Sequence, residues 1–545
     1  MSHSNTHTPK LSVAVGVLAI SALLFGGCSS SGPNPQAIIG KATAHWNVGN
    51  AAEAYNQAKT LPPIEEDDKD RMCFYLERGT FAITAGNAPA AAFDFQSAEN
   101  VIGTIESGPV YSISEMIGST YTGTNTERIM LGVMHGFALM EAGDFNNAGA
   151  MFNKTNAYQN EAYAKYADVI RKEAAKNAKM SNQKEGKIDT GIAKKLLPKE
   201  ALAPVPGGTV PGFNAKNAAR FLSASQLASI KAAREKNSTA AGVYTNPYAY
   251  WLSGIFALRT AEDANDRAKA AKLLEKAVAT NGANSSLMLT DFLEAERAAD
   301  GHAIKPATYI IYESGAIANR SYKDYVIHTA FISAYIQAIC RTKGVKLGRT
   351  PLPNMTVRIP LIQPRKSAPR PPSIPGAKFE TLVNLDAMKI AEFNQSRSQE
   401  ITYNIIKASI ACAVRFVAQE VAAAAVQKAG GGAPALGGKK AAKAGKAGGK
   451  LGKLGGKGTQ KAATGALAGA AIAASASIPT PAFPVEMREW KSLPQKIYAA
   501  KISTPRSGTL KIGNRTVMLS KTGSNIVRIR NVAGTPLISV VSFEQ

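Results

Sequence analysis

The chain has 545 residues, of which 45% are hydrophobic and 19% charged, as is typical of a globular protein with about two to four domains. The net charge of +25 does not by itself indicate a nucleic-acid-binding protein, because residues 438–461 alone contain eight lysines and no acidic residue. Cys28, Cys73, Cys340 and Cys412 lack metal-ligand spacing and imply no disulfide framework.

Residues 1–27 are predicted to be a lipoprotein signal peptide. Positions 11–25 carry no charge, and a stretch of this length is too short to span a bilayer as a permanent helix. Gly26, Gly27 and Cys28 follow and resemble a bacterial lipobox, although Phe25 stands where Leu is usual. We therefore expect a lipid on Cys28. The alternatives are an ordinary secretory signal and an uncleaved anchor.

Residues 28–35 are predicted to be a flexible tether between the anchor and the folded part. Ser29 follows the cysteine at the position where an Asp would resemble an inner-membrane retention signal. The expected location is therefore the outer membrane, with the chain lipid-anchored and facing the periplasm. The inner membrane and the cell surface are the alternatives.

A repeated spacing pattern runs through residues 36–300. Three stretches carry a small residue, a glycine, an alanine and a fourth residue at identical intervals. The fourth residue is bulky in two of the three stretches. These are Ala42, Gly49, Ala54 and Ala58; Gly79, Gly86, Ala91 and Phe95; and Gly136, Gly143, Ala148 and Phe152. A fourth, looser stretch contains Gly254 and Ala270.

This spacing predicts helical hairpins. Gly86 and Gly143 can adopt the left-handed conformation that ends a helix, and the small residue lets the second helix approach closely. The pattern resembles tetratricopeptide repeats, so residues 36–300 are predicted to form an irregular α-solenoid with an insert at 172–213. A set of unrelated helical hairpins is the alternative.

Beyond residue 300 the pattern changes to extended segments. Residues 301–378 contain strand candidates at 309–312 and 355–361 and a proline-rich connector. Apolar residues at helical intervals then predict a long helix over 379–428.

The last part of the chain begins with a low-complexity loop. Residues 429–463 consist mostly of Gly, Ala and Lys, which cannot bury a core. The Ala-rich helix predicted at 464–478 is interpreted as packed on the long helix, with a membrane-inserting hairpin as the alternative. Residues 479–545 alternate apolar and polar residues between turns, which predicts a β-domain that recruits the strands of 308–361.

The predicted fold class is therefore mainly α with a smaller β part. We expect an irregular tetratricopeptide-like α-solenoid, followed by a long helix and a small antiparallel β-sandwich.

Five blocks of the sequence together resemble a family of uncharacterised bacterial lipoproteins with tetratricopeptide-like repeats. They are residues 121–128, 246–254, 308–315, 357–360 and 488–494. The last block, an Arg-x-Trp-x-x-Leu-Pro string, is the most specific, although Val485 and Glu486 before it depart from the Ala-Asp that the family tends to show. The resemblance implies export, lipidation and a helical-plus-β architecture, and it implies no reaction.

The residue types that carry chemistry do not form a recognisable catalytic, metal or cofactor site. The sequence contains no His-Glu-x-x-His, Gly-x-Ser-x-Gly or paired-cysteine metal spacing. Residues 455–459 superficially resemble a phosphate loop but lack its first glycine and a preceding buried strand. His45 and His135 lie within the repeats and are interpreted as structural. We therefore predict no enzyme, no cofactor and no metal.

Two polar motifs are the candidate sites. They are the pair Glu127 and Arg128, and the string that contains Arg488, Trp490, Leu493 and Pro494. We interpret them as structural contacts, because Arg can stack on an indole and pair with a carboxylate. Ligand binding is the alternative. The string with Trp490 is expected to tie the β-domain to the long helix.

The predicted function is that of a membrane-anchored envelope scaffold or adaptor whose helical-repeat face binds proteins or peptides. The alternative is a structural or pore-related envelope protein with its Ala/Gly segment in a membrane. Lys439–Lys461 is expected to contact anionic envelope surfaces, with an inert linker as the alternative. No nucleic acid is expected as a partner, because no aromatic residue interleaves with these lysines.

Overall fold

The computed structural model describes residues 34–104, 120–160, 192–209, 212–238, 245–328, 354–365, 368–398, 485–534 and 536–544, together with residues 400–402, 404, 405, 408, 409 and 412. The fold is mainly α with a smaller β part, as predicted.

The helices follow one another along the first part of the chain. They are α1 (Pro35–Asn47), α2 (Ala51–Ala58), α3 (Arg71–Thr84), α4 (Ala88–Thr104), α5 (Asn125–Glu141), α6 (145–160), α7 (Ile192–Leu196), α8 (Lys199–Leu202), α9 (Ala215–Ala218), α10 (Ala224–Ser238), α11 (Pro247–Arg259), α12 (Ala264–Asn281) and α13 (Ser286–Ala299). A further helix, α14, begins at 385 and is continuous to 398. Helices α7 and α8 lie within the predicted insert at 172–213, whose earlier part is outside the described residues.

Helices α3 and α4 form a hairpin whose turn follows the predicted repeat. Gly86 has φ +82° and ends α3, and Asn87 then accepts the backbone N–H of Ala90 at 3.2 Å and caps α4. Gly49 and Gly143 adopt the same left-handed conformation, both with φ +83°. The sequence therefore located these three turns correctly, because glycine tolerates a positive φ that other residues rarely adopt.

The small residue of the repeat allows close approach between paired helices. A Cβ added to the first-helix glycine would lie 2.5 to 2.7 Å from the side chain opposite, closer than real Cβ contacts. The pairs are Gly79 with Phe95, Gly136 with Phe152, and Gly254 with Leu274. Ala91, Ala148 and Ala270 are fully buried. In each pair the glycine therefore lies directly against the side chain of the second helix.

The strands form a five-stranded sheet and two small hairpins. They are β1 (Ala307–Ser314), β2 (Asn319–Ile327), β3 (Met355–Gln363), β4 (Glu380–Asn384), β5 (Lys496–Ser503), β6 (Thr509–Ile512), β7 (Arg515–Met518), β8 (Ser524–Asn531) and β9 (Pro536–Phe543). The large sheet has the order β4-β5-β1-β8-β9, whereas β2 pairs with β3 and β6 with β7. The first predicted strand thus joins the C-terminal sheet, but the second does not.

The large sheet is mixed, which corrects the prediction of an antiparallel arrangement. Strand β1 pairs with β5 in antiparallel fashion and with β8 in parallel fashion. The chain leaves β5, forms the β6–β7 hairpin and returns in the opposite direction as β8, on the other side of β1. Strand β8 is therefore parallel to β1, and the long chain segment between β1 and β8 permits this pairing, whereas a tight hairpin would not.

The two faces of the large sheet are both buried. Tyr309 and Ile311 face the helices and belong to the main core, while Ile310 and Tyr312 face the β6–β7 hairpin. Strands β1 and β8 are buried along their whole length. The sheet therefore lies between the helical layer and the small hairpin.

One predicted helix boundary is wrong. The sequence pattern predicts helix from residue 379, but residues 380–384 form β4, which pairs with β5. Asn384 accepts the backbone N–H of Ala387 at 3.2 Å and caps α14 there. Tertiary pairing with β5 therefore outweighs the local helical periodicity over these residues.

Candidate functional site

Trp490 is a buried anchor between the helical layer and the sheet. Its side chain is fully buried, and its indole Nε1 donates to Thr80 Oγ1 at 2.9 Å and to Ser492 Oγ at 3.0 Å. Its ring centroid lies 5.9 Å from that of Phe95. Because Thr80 and Phe95 belong to α3 and α4, Trp490 attaches its segment to a helical hairpin.

Glu127 connects this anchor to the start of α5. Its Oε1 accepts the backbone N–H of Trp490 at 2.7 Å, and its Oε2 accepts the backbone N–H of Thr124 at 2.9 Å and the hydroxyl of Tyr121. Thr124 caps α5 in return, which completes a capping box. Both carboxylate oxygens of Glu127 are thus engaged within the protein.

Arg128 and Arg488 do not contact Trp490 through their guanidinium groups. Arg128 donates to Thr122 O at 2.7 Å, and Arg488 donates to both carboxylate oxygens of Glu486 at 2.8 and 2.6 Å. Arg488 lies over the ring of Tyr121, 5.3 Å from its centroid, rather than over the indole. The aromatic stacking expected for Arg488 therefore occurs with a different ring.

The link to α14 is made by the residue before Trp490. Glu489 accepts from Lys389 Nζ at 2.7 Å and from the backbone N–H of Arg320 at 2.9 Å. Burial alone would raise the pKa of the Glu489 carboxyl, but the Lys389 ammonium holds it below its ordinary value. Leu493 and Pro494 are buried next to this segment. The segment 488–494 thus contacts the α3–α4 hairpin, the start of α5 and α14. A contact between this segment and the helix that is now α14 was predicted.

A second buried network, which the sequence did not indicate, lies between the sheet and α5. Arg528 donates to both carboxylate oxygens of Glu313 at 2.9 Å and lies 3.4 Å from Glu141. Arg530 lies over the ring of Trp46, 5.3 Å from its centroid. Arginines that alternate with apolar residues in β8 are the sequence signal that could have located it.

The first helices of the hairpins are covered by the chain's own sheet. Trp251 of α11 packs edge-on against Tyr309 of β1, with centroids 5.9 Å apart. Lys501 of β5 binds Asp291 of α13 at 2.9 Å. Across the described residues, this face of the helical layer is therefore occupied by the chain itself.

A cavity of about 500 Å³ opens where the helical layer meets the edge of the sheet. All five residues of β4 line it, together with the start of α11, the end of α12 and the start of α14. Glu380 contributes a carboxylate to the wall, and Thr280 contributes a buried hydroxyl that lacks a hydrogen-bond partner. No sequence motif indicated this cavity.

His135 and the thiols of Cys73 and Cys412 lie in the interior of the fold. His135 lies 3.0 Å from Glu99, which also binds Lys154 at 2.7 Å. Cys73 and Cys412 are both buried, and burial raises the pKa of Cys73 well above its usual range. Within the described part of the chain, no group of three or more potential metal ligands is found.

Several predicted sites lie outside the described residues. These are the lipidated Cys28, the lysine segment Lys439–Lys461 and the Ala-rich helix at 464–478. Among the helices that are described, none is both long enough and apolar enough to span a membrane.

No family model matches the chain, and no curated protein is significantly similar to it.

Proposed function

We propose that this protein is a bacterial outer-membrane lipoprotein, anchored through Cys28, that acts as a non-catalytic protein-interaction scaffold facing the periplasm. The observation that carries the proposal is the shared geometry of its hairpins, in which a glycine turn and a close helix contact recur. Stacked helical hairpins of this kind commonly present extended surfaces to other proteins.

The same proposal includes a finer description of the fold. We take the hairpins from α1 to α6 and from α11 to α13 as tetratricopeptide-like repeats of one irregular solenoid. The large sheet and the β6–β7 hairpin then form a small sandwich that fills the inner side of this solenoid. The burial of Tyr309 on one face of the sheet and of Tyr312 on the other supports this layered arrangement.

The partner surface that fits this architecture lies on the second helices of the hairpins. Phe93 of α4 is 69% exposed and marks this side of the helical layer. Because the first helices contact the sheet, we propose that protein partners approach the side of the layer that carries Phe93.

The anchor is tested by metabolic labelling with a palmitate analogue in a bacterial host. The wild-type chain should incorporate the label and fractionate with the outer membrane, and Cys28→Ser should do neither. Equal labelling of both chains would rule out lipidation at this cysteine.

The scaffold role is tested by photo-crosslinking in intact cell envelopes. A photoreactive amino acid at Phe93 should give discrete crosslinked proteins, whereas the same amino acid at the exposed Lys511 of β6 serves as a control. If positions along α2, α4 and α6 all give no product above the control, the scaffold proposal fails.

We also propose that Lys439–Lys461 contacts anionic lipid headgroups or cell-wall polymers. Each lysine near such a surface contributes about 1 kcal/mol, and salt screens the attraction. Deleting the segment should abolish salt-sensitive binding to anionic liposomes. Binding that persists after the deletion would assign the contact to another part of the chain.

A further inference from the structure

The cavity beside β4 is bounded by an unpaired edge of the large sheet. Strand β4 is the first strand in the sheet order and pairs with β5 on one side only. No strand among the described residues pairs with its other side. All five residues from Glu380 to Asn384 line the cavity, so this edge strand forms one of its walls.

One contact shows the direction in which part of this edge points. The register between β4 and β5 shifts between Thr381 and Val383. The carbonyl of the intervening Leu382 accepts from Asn281 Nδ2 at 3.3 Å, and Asn281 belongs to α12, which also lines the cavity. A backbone acceptor of β4 is therefore directed away from β5, and its present partner is a side chain that an incoming strand would displace.

The cavity also contains a polar group without an intramolecular partner. The hydroxyl oxygen of Thr280 is buried, lines the cavity and makes no hydrogen bond within the protein. A buried hydroxyl of this kind is unfavourable unless a ligand or water satisfies it. A ligand with hydrogen-bonding groups on two sides would satisfy both Thr280 and the edge of β4.

The charge of the cavity restricts the ligand further. Glu380 is the charged side chain among the described lining residues, and its Oε2 accepts from Ser285 Oγ at 2.8 Å and from the backbone N–H of Leu287 at 3.1 Å. No cationic side chain is found in the same described lining. The wall therefore disfavours an anionic ligand and favours a neutral or basic one.

The dimensions fit a short extended peptide. The volume of about 500 Å³ lies within the range of roughly 300–1,000 Å³ that is usual for ligand pockets. Five residues of β-strand extend over about 17 Å. An extended peptide exposes backbone N–H and C=O groups on both of its edges, so it can pair with β4 on one side and face Thr280 on the other.

We propose that a neutral or basic segment of a partner protein binds in this cavity as an additional strand on the free edge of β4. This inference rests on the proposed scaffold function and names the kind of segment that such a scaffold takes up. Backbone pairing provides the affinity, and the position of Glu380 selects a basic residue near one end.

The test uses the full-length chain purified in detergent and a fluorescein-labelled heptapeptide of alternating valine and threonine, capped at both ends and carrying one terminal lysine. Binding is followed by fluorescence anisotropy. The first comparison uses the same peptide with alternate backbone amides methylated, which cannot pair as a strand. The second comparison uses a peptide in which glutamate replaces lysine. Both changes should weaken binding.

Two variants locate the binding on the protein. Thr381 is an exposed residue of β4 that lines the cavity, so Thr381→Trp should fill it at little cost to folding and weaken peptide binding by about tenfold or more. The matched control is Thr516→Trp, on an exposed position of β7. Glu380→Gln keeps a side-chain oxygen that can accept the backbone N–H of Leu287 in α13. It should reduce the preference for the lysine peptide over the glutamate peptide by about threefold.

The outcomes separate this inference from the scaffold proposal. Binding that is lost in Thr381→Trp and retained in Thr516→Trp, and that requires unmethylated amides, supports strand addition. Equal binding of the methylated peptide, equal binding by Thr381→Trp, or no peptide binding below about 1 mM overturns it. If crosslinking at Phe93 succeeds while these experiments fail, the scaffold stands without a strand-binding cavity.

Discussion

The backbone N–H of Trp490 donates to Oε1 of Glu127 at 2.7 Å, although the two residues are 363 positions apart in the chain. The other carboxylate oxygen of Glu127 helps to cap α5. One buried carboxylate therefore fixes both the start of a helix and the course of the segment that leads into the sheet.

Trp490→Ala should destabilise the fold strongly. It removes a fully buried indole that packs on Phe95 and donates to Thr80, and truncations of this kind cost about 3–5 kcal/mol. Trp490→Phe keeps most of the packing and loses the indole N–H, so it should cost less. Urea unfolding of the three proteins measures both effects. A stable Trp490→Ala chain that has lost partner binding would instead indicate a ligand site.

The hairpins could be predicted from the sequence because their determinants are local. Gly86 ends α3, Asn87 caps α4, and Gly79 faces Phe95, all within one short stretch of chain. The spacing of such residues reflects the helical period and the left-handed turn directly. The sequence also indicated that Glu127 and Trp490 are each structural residues, but it did not indicate that they contact each other.

The pairing of distant segments could not be predicted in the same way. Tyr309 lies opposite Lys501 on one side and Ile526 on the other, and alternation within each strand does not specify which neighbour it selects. For the same reason, the sequence did not show that the sheet covers the first helices or that β4 leaves a free edge. The contact between Glu127 and Trp490 also depends on this assembly.

The glycines at 136 and 143 should respond differently to substitution by alanine. An added Cβ at Gly136 would lie 2.5 Å from the ring of Phe152, whereas Gly143 has open space and a φ of +83°. Gly143→Ala should therefore cost about 1–2 kcal/mol of backbone strain, with packing unchanged. Gly136→Ala should cost about 1–3 kcal/mol through overpacking.

A double-mutant cycle distinguishes these two mechanisms. Phe152→Leu should partly rescue Gly136→Ala, because a smaller side chain leaves room for the added methyl group, and it should not rescue Gly143→Ala. Thermal unfolding of the single and double variants provides the measurement. Simple additivity at both positions would show that the ring does not limit the approach of α6 to α5.

Removal of Arg528 should be more harmful than removal of Arg528 and Glu313 together. The Glu313 side chain is fully buried, and Arg528 donates to both of its carboxylate oxygens. Arg528→Met leaves this carboxylate without its main partner, which costs about 3–5 kcal/mol. Adding Glu313→Gln removes the buried charge and should recover part of that loss. A double variant that is no more stable than the single one would show that the pair contributes little coupling.

Glu400 should make the stability of the protein depend on pH. Its side chain is fully buried, and Arg320 Nη1 lies 4.0 Å away. The pKa of Glu400 is raised to about 7, mainly by burial and also by the neighbouring Glu486, while Arg320 and Arg397 oppose the shift. In an unfolded chain the pKa of a Glu side chain is about 4.3.

The sign of the effect follows from these two pKa values. Between about pH 4.3 and pH 7 the folded chain binds more protons at Glu400 than the unfolded chain does, so the free energy of unfolding decreases as pH rises. Below this interval the carboxyl is protonated in both states, and its contribution is fully present. Above pH 7 the carboxylate is ionised in both states, and the contribution has been lost.

Glu400→Gln should remove this dependence, because its amide stays neutral at every pH. We expect the variant to resemble the wild-type chain in stability near pH 5 and to exceed it at pH 8 by up to about 3 kcal/mol. Glu262→Gln, at an exposed position before α12, changes the same charge in solvent and serves as the control. Urea unfolding of all three chains at both pH values measures the difference. An equal gap between Glu400→Gln and the wild-type chain at pH 5 and pH 8 would show that Glu400 does not titrate in this interval.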